Sequence, residues 1–100
     1  MDAFTALADP TRRQIILTLA AGELSFGELA ENFAMSRPAV SQHLKVLKEA
    51  GIVTARADAQ RRIYALNDDS LEEIEEWLGT VRAFWTRRLD RLEQLLNETD

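Results

Sequence analysis

The chain of 100 residues contains no cysteine. Disulfides, thiolate metal ligands, thiol catalysis and cysteine redox switching are therefore excluded, and the redox compartment cannot be read from thiols. One histidine, His43, stands alone; a lone imidazole without a second ligand at metal spacing makes no metal site. Glycine is scarce, with four residues, and Gly22 and Gly27 do not form a phosphate-binding loop. Ser36 and Ser41 belong to no catalytic triad, so an enzyme is not expected. No apolar stretch approaches the about 18 residues of a membrane span, and no basic segment leads into an apolar run at the start. The expected location is cytoplasmic, with no membrane partner.

Positive charge is also scarce, but unevenly so. The net charge is −5. Residues 1–35 carry two basic and five acidic groups, residues 36–64 six and two, and residues 65–100 four and ten. The basic balance is confined to the middle, where a phosphate-binding surface would need it, and acidic flanks limit indiscriminate binding. A solvated charge run is the plainer explanation of the same asymmetry.

The middle segment, Ser36 to Ala50, reads SRPAVSQHLKVLKEA. Ser36 is a good N-cap, Pro38 fits a first turn, and Gly51 follows as a stop. Val40, Leu44 and Leu47 share one stripe at helical spacing, with Pro38, Gln42, Lys45 and Glu49 opposite and Ser41 and Lys48 on a shoulder. The outward face is small and hydrogen-bonding, and a major groove about 12 Å wide would accept it. An ordinary amphipathic helix is the alternative.

Around this segment the chain divides cleanly. Met1 to Leu7 gives a short apolar pattern, Ala3, Phe4 and Leu7. Asp9 and Pro10 open a helix to about Ala21, with Ile15, Ile16, Leu19 and Ala20 as its buried stripe. Arg12 and Arg13 near its start oppose the helix dipole, so they answer either to solvent or to something outside the helix. Ser25 and Glu28 form a capping box for a helix from Phe26 to about Phe33, with Phe26, Leu29, Ala30 and Phe33 inward. Ala34 and Met35 turn the chain into Ser36, which completes a helix-turn-helix pattern. Ile52 to Leu66, broken by Ala57 to Gln60, reads as a β-hairpin with Arg56, Arg61 and Arg62 near its tip, beside a phosphate backbone or a minor groove.

Ser70 with Glu73 gives a second capping box, and Glu72, Glu73, Glu75 and Glu76 suit the positive end of the helix that follows. Leu71, Ile74, Leu78, Val81, Trp85, Leu89, Leu92 and Leu96 recur at spacings of 3 or 4. That helix runs about 27 residues, about 40 Å, longer than so small a domain needs for its own core. Trp77, Phe84 and Leu95 broaden the stripe. A second copy of the chain is the expected cover, and a helix folded back over its own core the alternative.

With ALADPTRRQIILTL, ELSFGELAENFAMSRPAVSQHLKVLKEAGIV and the RRIYAL strand in view, nearly the whole chain resembles the ArsR family of bacterial winged helix-turn-helix repressors. The resemblance implies a dimer paired through the first and last helices, sitting on an imperfect inverted repeat and blocking transcription. The family's metal sensors carry a cysteine pair in the helix that here reads ELSFGEL, and ligands along the last helix. Ser25, Phe26 and Gly27 stand there instead, and the last helix has no histidine. The ending WLGTVRAFWTRRLDRLEQLL resembles the members without a metal site.

The expected architecture is mainly α with a small β-hairpin, a winged helix-turn-helix of order α-α-α-α-β-β-α in one domain over residues 1–100. Within it lie a recognition helix at about 36–50, a wing at about 52–66 and a dimerisation helix at about 70–96. The candidate DNA-binding set is Ser36, Arg37, Pro38, Ala39, Ser41, Gln42, His43, Lys45, Lys48, Arg56, Arg61 and Arg62, with His43 either a DNA contact or a structural hydrogen-bonding group. The candidate dimer interface is Phe4, Leu7, Leu78, Val81, Trp85, Leu89, Leu92 and Leu96. Double-stranded DNA and a second copy are the expected partners, with no cofactor and no metal. Two other functions fit parts of the pattern: a small-molecule sensor with a pocket near Trp77, Phe84 and Trp85, and a protein-interaction module that no longer binds DNA.

Overall fold

Aspartates start the first two helices. The Asp2 carboxylate accepts from the Thr5 N–H at 2.9 Å to cap α1 (Ala3–Ala6), and Asp9 accepts from the Arg12 N–H at 3.0 Å to cap α2 (Pro10–Ala20). The computed structural model describes residues 2–98, apart from the side chains of Ser70 and Leu71. Met1, the Ser70–Glu73 capping box and the place of Leu71 in the last apolar stripe therefore lie outside the described residues.

Arg12 and Arg13 are held by the chain itself. Arg12 Nε donates to the Ala6 carbonyl at 2.6 Å and Arg13 Nη1 to the Leu7 carbonyl at 2.8 Å. These carbonyls close α1, so the two cations sit at the negative end of one helix while beginning another. α2 buries Ile15 and Leu19 and half-buries Ile16, but Ala20 is exposed, against expectation. At about 100° per residue Ala20 falls about 140° round the helix from Ile15, off the buried stripe.

Two further differences follow α2. Leu24–Ser25 forms a short strand, β1, that the sequence pattern does not announce, and α3 (Phe26–Ala30) ends three residues before Phe33. The capping box is present: Ser25 Oγ accepts from the Glu28 N–H, and a Glu28 carboxylate oxygen accepts from the Ser25 N–H at 3.0 Å. Phe26 and Phe33 are half-buried against the core. A turn through 31–35 then leads to Ser36, whose Oγ accepts from the Ala39 N–H, and to α4 (Arg37–Glu49).

Gly51, at φ +79°, ends α4 in the left-handed region. The Ile52 N–H donates back to the Leu47 carbonyl at 3.0 Å, which sends the chain straight into β2 (Val53–Asp58). β3 (Arg61–Leu66) returns antiparallel, with Asp58 opposite Arg61 and Val53 opposite Leu66. β1 adds to the other side of β3, with Leu24 opposite Tyr64 and Ser25 opposite Ile63. The sheet order is β1-β3-β2, so the hairpin is the outer part of a three-stranded sheet.

One core joins these elements. Ile15, Leu29, Val40, Leu44, Leu47, Ile52 and Val53 are essentially inaccessible, so α2, α3, α4 and the sheet close on each other. α5 (Leu71–Glu98) follows a 3-10 turn at Asp68–Ser70. It meets the core through half-buried Ile74, and Phe4 of α1 meets Trp77 edge-to-face at 5.5 Å. Beyond there it projects outward. The radius of gyration is 18.4 Å and the longest dimension 67 Å, whereas a compact chain of this length has a radius of about 13 Å. No described helix is long and apolar enough to cross a membrane.

Candidate nucleic-acid interface

α4 is fixed by Val40, Leu44 and Leu47, all buried, and this determines what it presents outward. Arg37, Pro38, Ser41, Gln42, Lys45 and Lys48 are exposed; Ala39 is half-buried and the Ser36 side chain is engaged as the cap. The first two turns thus carry a polar, unencumbered ridge, and Glu49 lies at the far end.

The sheet meets this ridge in two clefts. One, of about 510 Å³, lies between α3, the start of α4 and the hairpin; Phe26, Arg37, Ser41, Gln60, Arg61 and Arg62 line it. The other, of about 240 Å³, joins Ser41, Lys45 and Lys48 of α4 to Arg62 and Tyr64 of β3. Ser41, Arg62 and Tyr64 belong to both. Arg37 spreads over the Phe26 ring at 6.0 Å, which holds its guanidinium near the first cleft. Among the described residues Arg37, Lys45, Lys48 and Arg62 form no ion pair, so their charge faces solvent uncompensated.

The other hairpin arginines differ. Arg56 reaches across β3 to Glu23 and donates through both terminal nitrogens, at 2.8 and 2.9 Å. The hydrogen bonds from Arg56 hold the Glu23 carboxyl below its ordinary value. Arg61 pairs with Asp58 at 3.1 Å across the turn. Arg56, Arg61 and Arg62 share a hollow of about 300 Å³ along the hairpin, whereas of the three only Arg62 also lines the cleft with Lys45 and Lys48 of α4. Glu23, Asp58 and Tyr64 shape this surface and were not singled out from the sequence. Glu23 precedes a strand of two residues, too short to leave a periodic signal.

His43 turns away from the outer ridge. Its side chain is one-quarter exposed, and Nδ1 lies 3.8 Å from an oxygen of Asp9, the cap of α2. The Asp9 carboxyl is held below its ordinary value, chiefly by the Arg12 N–H and further by His43. Along α5, Leu78, Trp85, Leu89, Leu92 and Leu96 are exposed, while Val81, and Phe4 and Leu7 near the start of the chain, are half-buried. The hollow at Trp85, about 540 Å³, is walled by α5 alone. Of the three aromatics Trp77, Phe84 and Trp85, Trp85 lines it.

This geometry is shared with known proteins. The chain is 48% identical over 95 residues to the HTH-type transcriptional regulator Rv2034 of Mycobacterium tuberculosis, covering 95% of this chain and 86% of that one. The transcriptional repressor SdpR of Bacillus subtilis is 36% identical over 77% of this chain and 86% of its own length. A solved structure described as a possible transcriptional regulator for arsenical resistance superposes with a TM-score of 0.74 at 41% identity, over 92% of this chain and 93% of that one. Residues 9–55, from the cap of α2 into β2, match the family model for bacterial regulatory proteins of the arsR family. The fold is accordingly a winged helix-turn-helix, and the chemistry is binding rather than catalysis. The chain belongs to the arsR family of bacterial regulatory proteins and is a DNA-binding transcriptional regulator.

Proposed function

We propose that this chain is a homodimeric, cytoplasmic repressor of the ArsR type that binds an imperfect inverted repeat without a metal effector. The observation that carries the reading is the junction of α4 with β3, where Ser41, Lys45, Lys48 and Arg62 converge beside the Gln42 ridge. In this reading the first two turns of α4 enter a major groove. Gln42 pairs with adenine N6 and N7, Arg37 reads guanine or holds a phosphate, and Ser36, Pro38, Ala39 and Ser41 line the approach. Lys45, Lys48, Arg61 and Arg62 engage the backbone, with Arg61 exchanging Asp58 for phosphate. His43 acts at one remove, holding α4 against the start of α2. Two copies place two α4 helices in successive grooves about 34 Å apart.

Metal independence rests on composition: the chain has no cysteine, and its single histidine faces the Asp9 cap. The test is titration of the purified protein into DNA from its own upstream region at several salt concentrations, with stoichiometry measured and a chelator control. Saturable, salt-sensitive binding of two chains to an inverted repeat, unchanged by chelator, is expected. Binding that requires added metal would overturn the metal-independent part. Failure at low salt on this DNA and on a random pool would overturn the regulator's proposed site.

A further inference from the structure

Tyr64 sits in the middle strand of the sheet. β3 is paired on both sides, and Tyr64 stands opposite Leu24 of β1 and Ala55 of β2. The residue is 7% exposed and belongs to the core cluster with Leu44 and Leu47. A tyrosine hydroxyl so placed ordinarily finds a hydrogen-bond partner, because an unpaired one away from water is costly. Among the described residues the Tyr64 hydroxyl has none. Yet none of their side-chain nitrogen or oxygen atoms is both sealed from solvent and unpaired. The ring is therefore packed in the core while its oxygen opens outward.

It opens where the two clefts beside α4 meet, since Ser41, Arg62 and Tyr64 line both. Arg62 and Tyr64 are two apart on β3 and so project from the same face of the sheet, and Lys45 and Lys48 close the smaller cleft from α4. Among the described residues no carboxylate lines either cleft. A hydrogen-bond donor without a partner thus stands inside a surface of uncompensated positive charge, which suits an anionic oxygen. We infer that the Tyr64 hydroxyl donates a hydrogen bond to one phosphate of the DNA backbone, seated at the junction of α4 and β3 between Ser41 and Arg62. The inference rests on the DNA site proposed above and adds to it an uncharged contact that the charge pattern does not announce. The two kinds of contact act differently. Lys45, Lys48 and Arg62 gain by displacing counterions, so their share of the binding falls as salt rises. A hydroxyl displaces no counterion, so its share does not. A lysine head must also be ordered at the end of a four-carbon stem, whereas the Tyr64 oxygen is held by a packed ring on a strand flanked on both sides, and little freedom is lost on binding. Phosphate contacts fix register rather than sequence, and a donor held this firmly fixes how α4 sits in its groove.

Tyr64→Phe removes the oxygen and keeps the ring. With the full chain titrated into DNA from its own upstream region, the dissociation constant is expected to rise about tenfold. The factor should be the same at every salt concentration, leaving the salt slope unchanged, whereas Arg62→Ala flattens it. Binding by Tyr64→Phe within about twofold of the parent overturns the inference, and so does a slope that flattens as for Arg62→Ala, since cation contacts would then have been displaced. Methylphosphonate replacement of one backbone phosphate at a time supplies a second arm that holds even where the variant is less stable. At one phosphate of each half-site the replacement is expected to cost the parent several-fold more than it costs Tyr64→Phe, and elsewhere to cost both alike. Equal costs at every phosphate would mean that the substitution loosens the fold without removing a contact, and overturn the inference even if affinity falls. Failure of the parent to bind this DNA at low salt overturns the proposed site itself, whereas normal binding by the parent with an indifferent Tyr64→Phe overturns the tyrosine contact alone.

Discussion

Arg56 is clamped to Glu23 by two parallel N–H···O hydrogen bonds, 2.8 and 2.9 Å long, which tie one edge strand of the sheet, β2, to the segment before the other, β1. Its charge is thereby compensated in place, in a bidentate geometry that also restricts where the guanidinium points. Arg62, six residues on, has no such acid among the described residues and lies beside Lys45 and Lys48. The two arginines are both exposed and line one hollow of the hairpin, but Arg56 carries an acid partner and Arg62 forms no ion pair among the described residues.

The first expectation follows from that contrast. Arg62→Ala should weaken binding to all DNA sequences alike and flatten the salt slope by about one. Arg56→Ala should leave the slope nearly unchanged, because displacing Glu23 offsets a phosphate contact. Glu23→Gln should release Arg56 and steepen the slope. Titrations of the three variants at matched salt series decide the point, and equal losses for Arg56→Ala and Arg62→Ala would contradict it.

Gln42 stands on the outer ridge of α4, exposed, and among the described residues its side chain forms no intramolecular bond that would hold it back from a groove. Gln42→Ala is expected to lose discrimination at one base pair of each half-site, about 1–3 kcal/mol there, with little change at the others. Selection of preferred sites from a randomised pool reads this directly. An unchanged preferred sequence would mean that Gln42 does not touch a base.

Acid should act through the helix caps. Asp2 and Asp9 are held below their ordinary 3.8, chiefly by the backbone N–H groups of Thr5 and Arg12. Glu28 and Glu23 are held below their ordinary 4.5, by the Ser25 N–H and by Arg56. Carboxylates lowered in the folded state contribute stability that is complete above their unfolded values and lost as pH falls through the folded ones. Their contribution should therefore be whole above about pH 5 and disappear progressively below about pH 4. Asp9→Asn keeps an N-cap but cannot titrate, so its thermal midpoint should fall less steeply over that acid range than that of the parent chain.

The turn of the hairpin carries one strained position. Ala59, at φ +55°, is the described non-glycine residue in the left-handed region, between Asp58 and Gln60. Two-residue hairpins that need such a conformation at the first turn position favour glycine there. Ala59→Gly is expected to raise stability by about 0.5–1 kcal/mol in denaturant titration, the relief of strain outweighing the added freedom of the unfolded chain. A loss of stability would show that the turn is comfortable as it stands.

Local signals carried much of the fold. Asp9, Ser25 and Ser36 each cap a helix as their side chains and the following residues require, and Gly51 ends α4 where only a left-handed residue lets β2 begin. These are contacts over three or four residues, and sequence spacing contains them. β1 escaped because two residues show no alternation; it exists only because β3 offers it a free edge. Ala20 was misplaced because an apolar residue at the end of a helix need not lie on the buried stripe.

The candidate site divides along the same line. The sequence was sufficient to define α4, its inward stripe of Val40, Leu44 and Leu47, and hence the outward residues Arg37, Ser41, Gln42 and Lys45, since helical periodicity alone orients them. Which hairpin cation stands beside them was settled by tertiary packing. β3 lies between β1 and β2, so Arg56 on the outer strand crosses it to reach Glu23, 33 positions away, while Arg62 on β3 falls against α4. Likewise His43 reads as a groove residue until α2 brings Asp9 to it from 34 positions away. Charge pairing between residues so far apart depends on how the elements close around the core, and no local pattern in the chain contains it.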